Sequence, residues 1–234
     1  MPILDGRDAA AVAAAADHLA AGGLVAFPTE TVYGLGARAD DDAAVAAIFA
    51  AKGRPSDHPL IVHVATAEAA RHFGDLSHPG AVKLMQRFWP GPLTLIVPRG
   101  EGVAAAAAGG QASIGLRMPA HPVAQALLQA AAARGVLGVA APSANRFGRL
   151  SPTCAAHVAD ELGPEMMVLD GGDCALGIES AIVDCTRAAP ALLRPGVLDR
   201  AAIEAVLEAH LQAPGADAPR APGTLLAHYA PQAT

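Results

Sequence analysis

Apolar runs of strand length alternate along this chain with segments of helix length, and that alternation restricts the fold to an α/β layer structure. Asp8 is placed to cap a helix through Val12 and Leu19 that stops at Gly22-Gly23, after which residues 24–27 read as a short buried strand. Asp40 to Asp42 open a second helix, with Val45, Ile48 and Phe49 on one face, that ends near Gly53. Further strands are expected at 60–64, 93–97, 113–117, 136–140, 166–169, 181–184 and 191–194. Helices are expected at 66–73, 79–88, 121–134, 153–162 and 199–211, and a loop over the Ala/Gly-rich stretch 100–112. The connections near Arg117 and Asp184 are too short for a parallel crossover, so the sheet should be twisted and mixed, parallel and antiparallel, and covered by helices.

With 234 residues, 53% of them hydrophobic, the chain can bury one substantial core. A catalytic domain is expected over 1–211, followed by a Pro/Gly/Ala-rich linker that begins at Gln212, has no apolar periodicity and runs into a tail ending at residue 234. No apolar run is long enough to span a bilayer, and no basic segment followed by an apolar one opens the chain. Cys154, Cys174 and Cys185 are odd in number and widely spaced, which fits a reducing cytoplasm and neither a disulfide framework nor a zinc site. A net charge of −6 and few aromatic residues argue against stable nucleic-acid binding through a broad basic, stacking surface.

Phosphate binding must therefore be local. The chain has fourteen arginines and two lysines, so Lys52 standing two residues before Arg54 in a Gly/Pro-punctuated turn stands out as an anion site. Its plainer reading is a solvated helix end, where basic side chains favour the dipole. Polar clusters also follow the strands at 24–27 and 136–140: Thr29, Glu30, Thr31 and Tyr33 in one, Ser143, Asn145 and Ser151 in the other. Open α/β sheets bind ligands at such strand ends. Neither a GxxxxGK[ST] loop nor a GxGxxG turn is present, and there is no GxSxG elbow or HExxH pair.

Seven stretches in order resemble the YrdC-like threonylcarbamoyl-AMP synthase family. They are Pro28-Thr29-Glu30-Thr31-Val32-Tyr33-Gly34-Leu35, Lys52-Gly53-Arg54-Pro55 with Pro59-Leu60, Trp89-Pro90-Gly91-Pro92-Leu93-Thr94, Arg117-Met118-Pro119, Ser143-Ala144-Asn145, Gly177-Ile178-Glu179-Ser180 and Leu193-Arg194-Pro195-Gly196. The tail Pro222-Gly223-Thr224-Leu225-Leu226-Ala227-His228-Tyr229-Ala230-Pro231 looks like the linker that closes over the active site in the long form of that family.

The resemblance implies a nucleotidyltransferase that forms threonylcarbamoyl-AMP and pyrophosphate from ATP, L-threonine and bicarbonate. Magnesium would arrive with ATP, no tightly bound organic cofactor is needed, and downstream partner proteins would transfer the threonylcarbamoyl group to tRNA. By the same resemblance Thr31, His63, Arg117, the backbone at Ala141 and Ser180 hold L-threonine. Arg54, His58, Ser113, Ser143, Asn145, Ser151, Arg194 and Tyr229 line the nucleotide site, and Lys52 sits beside the phosphates as a catalytic residue with Arg54. Two positions depart from the family pattern: His58 replaces a common lysine, and Ala181 replaces a common threonine. An RNA-binding module of the same fold and a carbamoyl-adenylate-handling domain are the competing readings.

Overall fold

The computed structural model describes residues 3–223, within which ten strands and seven helices alternate. The strands are β1 (Ile3–Asp5), β2 (Val25–Phe27), β3 (Gly34–Arg38), β4 (Ile61–His63), β5 (Leu93–Pro98), β6 (Ser113–Arg117), β7 (Val139–Ala140), β8 (Met167–Asp170), β9 (Ala181–Asp184) and β10 (Ala191–Arg194). The helices are α1 (Ala9–Ala20), α2 (Asp42–Lys52), α3 (Ala67–Phe73), α4 (Pro79–Phe88), α5 (Pro122–Ala132), α6 (Ala155–Leu162) and α7 (Arg200–Leu207). The sheet runs β1-β8-β2-β3-β7-β4-β6-β5-β9-β10 and is mixed as expected. The β4–β6 and β5–β9 pairs, for example, are parallel, whereas β5–β6 and β9–β10 are antiparallel.

The helix starts follow from local chemistry. Asp8, Asp41, Thr66 and Asp199 each accept a backbone N–H of the first turn, which satisfies donors the helix itself cannot. At the other end of α2, Gly53 adopts φ 61°, the left-handed conformation that stops a helix and that glycine reaches without steric cost. Two strands lie outside the sequence expectation. β1 is a short edge strand, and β3 carries two glycines in five residues, which reads as a loop. Its Gly36 is required by close packing: a Cβ there would lie 2.7 Å from Val139 and 2.8 Å from Phe27. The strand expected at 136–140 shortens to Val139–Ala140.

The two halves of the sheet are covered differently. Around β2, β7 and β8, side chains of α1 and α5 make a dry cluster on one face, including Leu19, Phe27, Leu127 and Leu169. A larger core packs α2, α3, α4 and α7 on the other face and continues beneath β4, β5, β6 and β9. Above those four strands the apolar cluster contains only Ile61, Ile96, Ile182 and Ala221 among its buried members, and no described helix contributes to it. Ala221 comes from the segment after α7, which folds back across this face.

That returning segment is stitched to the domain. Gln212 forms a parallel bridge with Ala191, Arg187 pairs with Asp217, and Gln111 and Arg220 exchange side-chain and backbone hydrogen bonds at 2.8 and 3.1 Å. Arg220 also reaches Asp57 at 3.2 Å. No helix among the described residues is long and apolar enough to cross a membrane. Cys185 is buried in the core and Cys174 packs against it.

Candidate active site

Ladder register places the first two site residues side by side. His63 closes β4 opposite Arg117, which closes the parallel strand β6, so both side chains emerge at the same sheet end. Ala141 joins them because its N–H donates to Ile61 O at 2.9 Å as the chain leaves β7. The loop after β2 supplies the roof: Thr29 Oγ1 accepts the N–H groups of Thr31 and Val32 and bonds Thr31 Oγ1 at 2.8 Å. From the far side, Ser180 stands just before β9 and bonds Thr94 Oγ1 of β5 at 2.8 Å.

Two buried ion pairs organise this end of the sheet. Arg117, 4% exposed, donates to Thr31 Oγ1 at 3.0 Å, to Gly91 O at 3.2 Å and to Glu30 Oε1 at 2.6 Å. The other Glu30 oxygen accepts the N–H of Ala120. Arg194 is the second: it pairs with Glu179 and donates to Ser180 O, Ser180 Oγ and Pro222 O. Glu179 in turn accepts the Ser151 hydroxyl at 2.9 Å. Each guanidinium thus carries a carboxylate partner in a desolvated place, where an unpaired charge would be costly.

His63 is neutral. Burial, reinforced by the Arg117 charge, pushes its pKa down to about 3, and its Nδ1 has no hydrogen-bond partner among the described residues. Its ring meets Phe27 edge-on at 6.1 Å. An imidazole in this state can donate from one nitrogen and accept at the other, and it adds no charge to a chamber already holding Arg117.

Of the residues singled out from the sequence, Thr31, Arg54, His63, Arg117, Ala141, Ser143, Ser180 and Arg194 line one cavity together, with Pro222 and Gly223 of the returning segment. Ser151 lines an adjoining cavity that shares Val32, Glu179, Arg194 and Gly223 with the first. Four others stand elsewhere. Lys52, expected beside phosphates, is 3% exposed and donates from Nζ to the carbonyls of Ser143 and Asn145, because the end of α2 abuts that loop. Asn145 spends its amide N–H groups on Arg146 O and Arg149 O. His58 packs its ring against Phe147 at 5.5 Å, and burial together with nearby Arg54 lowers its pKa, so it is a poor substitute for a phosphate-binding lysine. Ser113 opens β6 at the opposite end from Arg117. Tyr229 lies outside the described residues.

Sequence reasoning left Glu30 and Glu179 without roles. A common signal was present: each immediately precedes a site hydroxyl, in Glu30-Thr31 and Glu179-Ser180. Among the described residues no group of three or more His, Cys, Asp or Glu side chains could hold a metal ion, and both site carboxylates already face arginines.

The Sua5_yciO_yrdC family model, whose description reads Telomere recombination, matches residues 17–196. The chain belongs to the Sua5/YciO/YrdC family. It is 44% identical over 225 residues to the threonylcarbamoyl-AMP synthase of Pyrococcus abyssi (strain GE5 / Orsay), covering 94% of this chain and 65% of that protein. It is also 44% identical over 231 residues to the enzyme of the same name from Bacillus subtilis (strain 168), covering 95% and 65%. The chain therefore spans just under two thirds of the length of these two relatives. Among solved structures, P. abyssi Sua5 complexed with L-threonine superposes with a TM-score of 0.90 at 42% identity, over 100% of this chain and 69% of that one. A Sua5/YrdC-type α/β fold is thus shown for this chain.

Proposed function

We propose that this chain carries the active site of an L-threonylcarbamoyladenylate synthase, a nucleotidyltransferase acting on ATP, L-threonine and bicarbonate. The observation that carries the reading is the buried Arg117, held between Glu30 and Thr31 beside neutral His63 and the Ser180 hydroxyl. Such a chamber suits a small hydroxylated amino acid: a guanidinium for its carboxylate, hydroxyls for its hydroxyl, and carbonyls and carboxylates for its amine. The P. abyssi Sua5 complex with L-threonine, at 42% identity, supports that choice of ligand.

The chemistry requires positioning more than a protein nucleophile. The threonine amine attacks the carbon of bicarbonate and water leaves, giving a carbamate. A carbamate oxygen then attacks the α-phosphorus of ATP, the bond to the bridging oxygen breaks, and pyrophosphate departs. Arg54, Ser143, Ser151 and Arg194 form the nucleotide side, with arginine charge placed to offset the phosphates. Magnesium would be carried in by ATP, neutralise phosphate charge and keep several waters, because the Glu179 carboxylate is already committed to Arg194 and the Ser151 hydroxyl. Pro222 and Gly223 border the cavity and would help to exclude water from the labile carbamate and mixed anhydride. Transfer onto tRNA would fall to partner proteins in the cytoplasm.

The deciding experiment is pyrophosphate release from ATP with L-threonine and bicarbonate added singly and together. Release only with both supports the synthase. ATP turnover indifferent to L-threonine, with no adenylate formed, would sink it. Salt-sensitive RNA binding without ATP chemistry would favour an RNA module instead.

A further inference from the structure

Lys52 is a buried cation that the chemistry above leaves unused. It is the last residue of α2, after which Gly53 turns the chain so that Arg54, two residues on, enters the cavity wall. The Lys52 ammonium donates to Ser143 O and Asn145 O, and its own carbonyl accepts the N–H of Phe147 at 2.8 Å. Three hydrogen bonds therefore join one residue of α2 to the loop 143–147. On its other side the same loop is tied to β3 and the chain before it: Ala144 N–H donates to Tyr33 O, and Pro142 O accepts from Leu35, both at 2.8 Å.

An ammonium has three N–H donors, and here two are spent on carbonyls. Lys52 is absent from the lining of both cavities, whereas Arg54 and Ser143 line the first. Accepting the nucleotide reading of that cavity, we infer that Lys52 is a positioning residue, fixing the separation of Arg54 and Ser143 by clamping the 143–147 loop to the end of α2. It acts through the backbone and does not touch phosphate.

The energetics of the site agree. Burial, then the neighbouring Arg54 charge, pushes the Lys52 pKa down to about 7, with Glu179 and Glu161 acting weakly in the other direction. A phosphate ligand gains from full charge and from a mobile ammonium, which this slot denies. A clamp does not need the charge: a neutral amine still has two N–H groups for two carbonyls.

The test is amide hydrogen exchange by NMR on the full chain without any ligand, comparing wild type with Lys52→Met and Lys52→Arg. Lys52→Met keeps the chain length and removes both donors, so the Ala144 and Phe147 amides should exchange about tenfold faster or more, the loss of one or two net hydrogen bonds. Lys52→Arg keeps the charge and a good anion ligand but needs more room. It should also speed exchange and should raise the KM for ATP more than it lowers kcat. Wild-type exchange in both ligand-free variants would overturn the inference, as would wild-type ATP use by Lys52→Arg. Should the wild-type protein prove to have no ATP chemistry, the reading of function fails, while the exchange comparison still decides whether Lys52 is a clamp. If Lys52→Met does not fold, Lys52→Arg alone decides.

Discussion

The end of the cavity around Arg117 and the end around Arg54 and Ser143, proposed to face the nucleotide, are built by different means. At the first, inner end His63 and Arg117 close neighbouring strands in fixed register, and Thr29, Thr31, Glu30, Thr94 and Ser180 bond to one another or to Arg117 and Arg194. At the outer end Arg54 and Ser143 stand on loops, clamped through Lys52 and bordered by a returning segment whose described residues reach the cavity at Pro222 and Gly223. A site whose parts bond to each other keeps its shape through local contacts. A site held by remote fasteners can be loosened without touching any residue that meets ligand.

The comparison breaks most visibly at Arg117. Arg117→Ala should cost about 1.5–3 kcal/mol of L-threonine binding, roughly 10- to 150-fold in Kd, because a charge-assisted partner is lost and Glu30 is left buried beside it. Calorimetric titration of both ligands checks this, and nucleotide affinity should move far less; an equal fall would erase the division between the two ends. Glu179→Gln comes next, with nucleotide affinity falling about tenfold as Arg194 and Ser151 lose their common anchor. L-threonine should be less affected, since Ser180 keeps its bonds to Arg194 and Thr94.

Arg220→Ala probes a fastener. Arg220 and Asp57 are both exposed, so their pair is worth at most about 1 kcal/mol, and the KM for ATP should rise only about two- to fivefold with kcat nearly unchanged. A larger effect, seen in steady-state kinetics, would mean that the returning segment touches ligand directly. The smallest effect belongs to His63. With its pKa pushed down to about 3, the imidazole is neutral both above and below the usual histidine range, so L-threonine affinity should show no histidine step between about pH 5 and 8. A step in wild type that vanishes in His63→Gln would show that the ring is solvated and titrating.

Much of this was legible in the sequence, for identifiable reasons. Asp8, Asp41 and Thr66 start helices by bonding within three residues, so their signal is local. β3 escaped notice because Gly36 is set by packing against Phe27 of the paired strand β2 and against Val139, which is distant in sequence. The same limit explains the acids. Glu30 and Glu179 gain meaning only when Arg117 and Arg194, 87 and 15 residues away, are folded against them. Lys52 was legible as unusual and misplaced in detail: its side chain points along the helix end into carbonyls 91 and 93 residues on, and no pattern of residue types announces a backbone partner. The segment after residue 211 reads as a linker because it has no periodicity, yet bonds from Gln111, Arg187, Arg194 and Asp57 hold it across the sheet.

The pairing of Arg117 with Glu30 carries one more consequence, for which molecules are admitted. The deep chamber is electrically balanced before anything enters, since one cation faces one anion and His63 is uncharged. A zwitterion brings no net charge and leaves that balance intact. β-Hydroxybutyrate keeps the carboxylate and hydroxyl of threonine but lacks its ammonium, so it would bury an uncompensated anion. An amino alcohol would bury a cation. On the proposed function, selection at this depth would be an accounting of whole charges, made by the polypeptide alone, discarding both half-molecules before any contact with their side chains is compared.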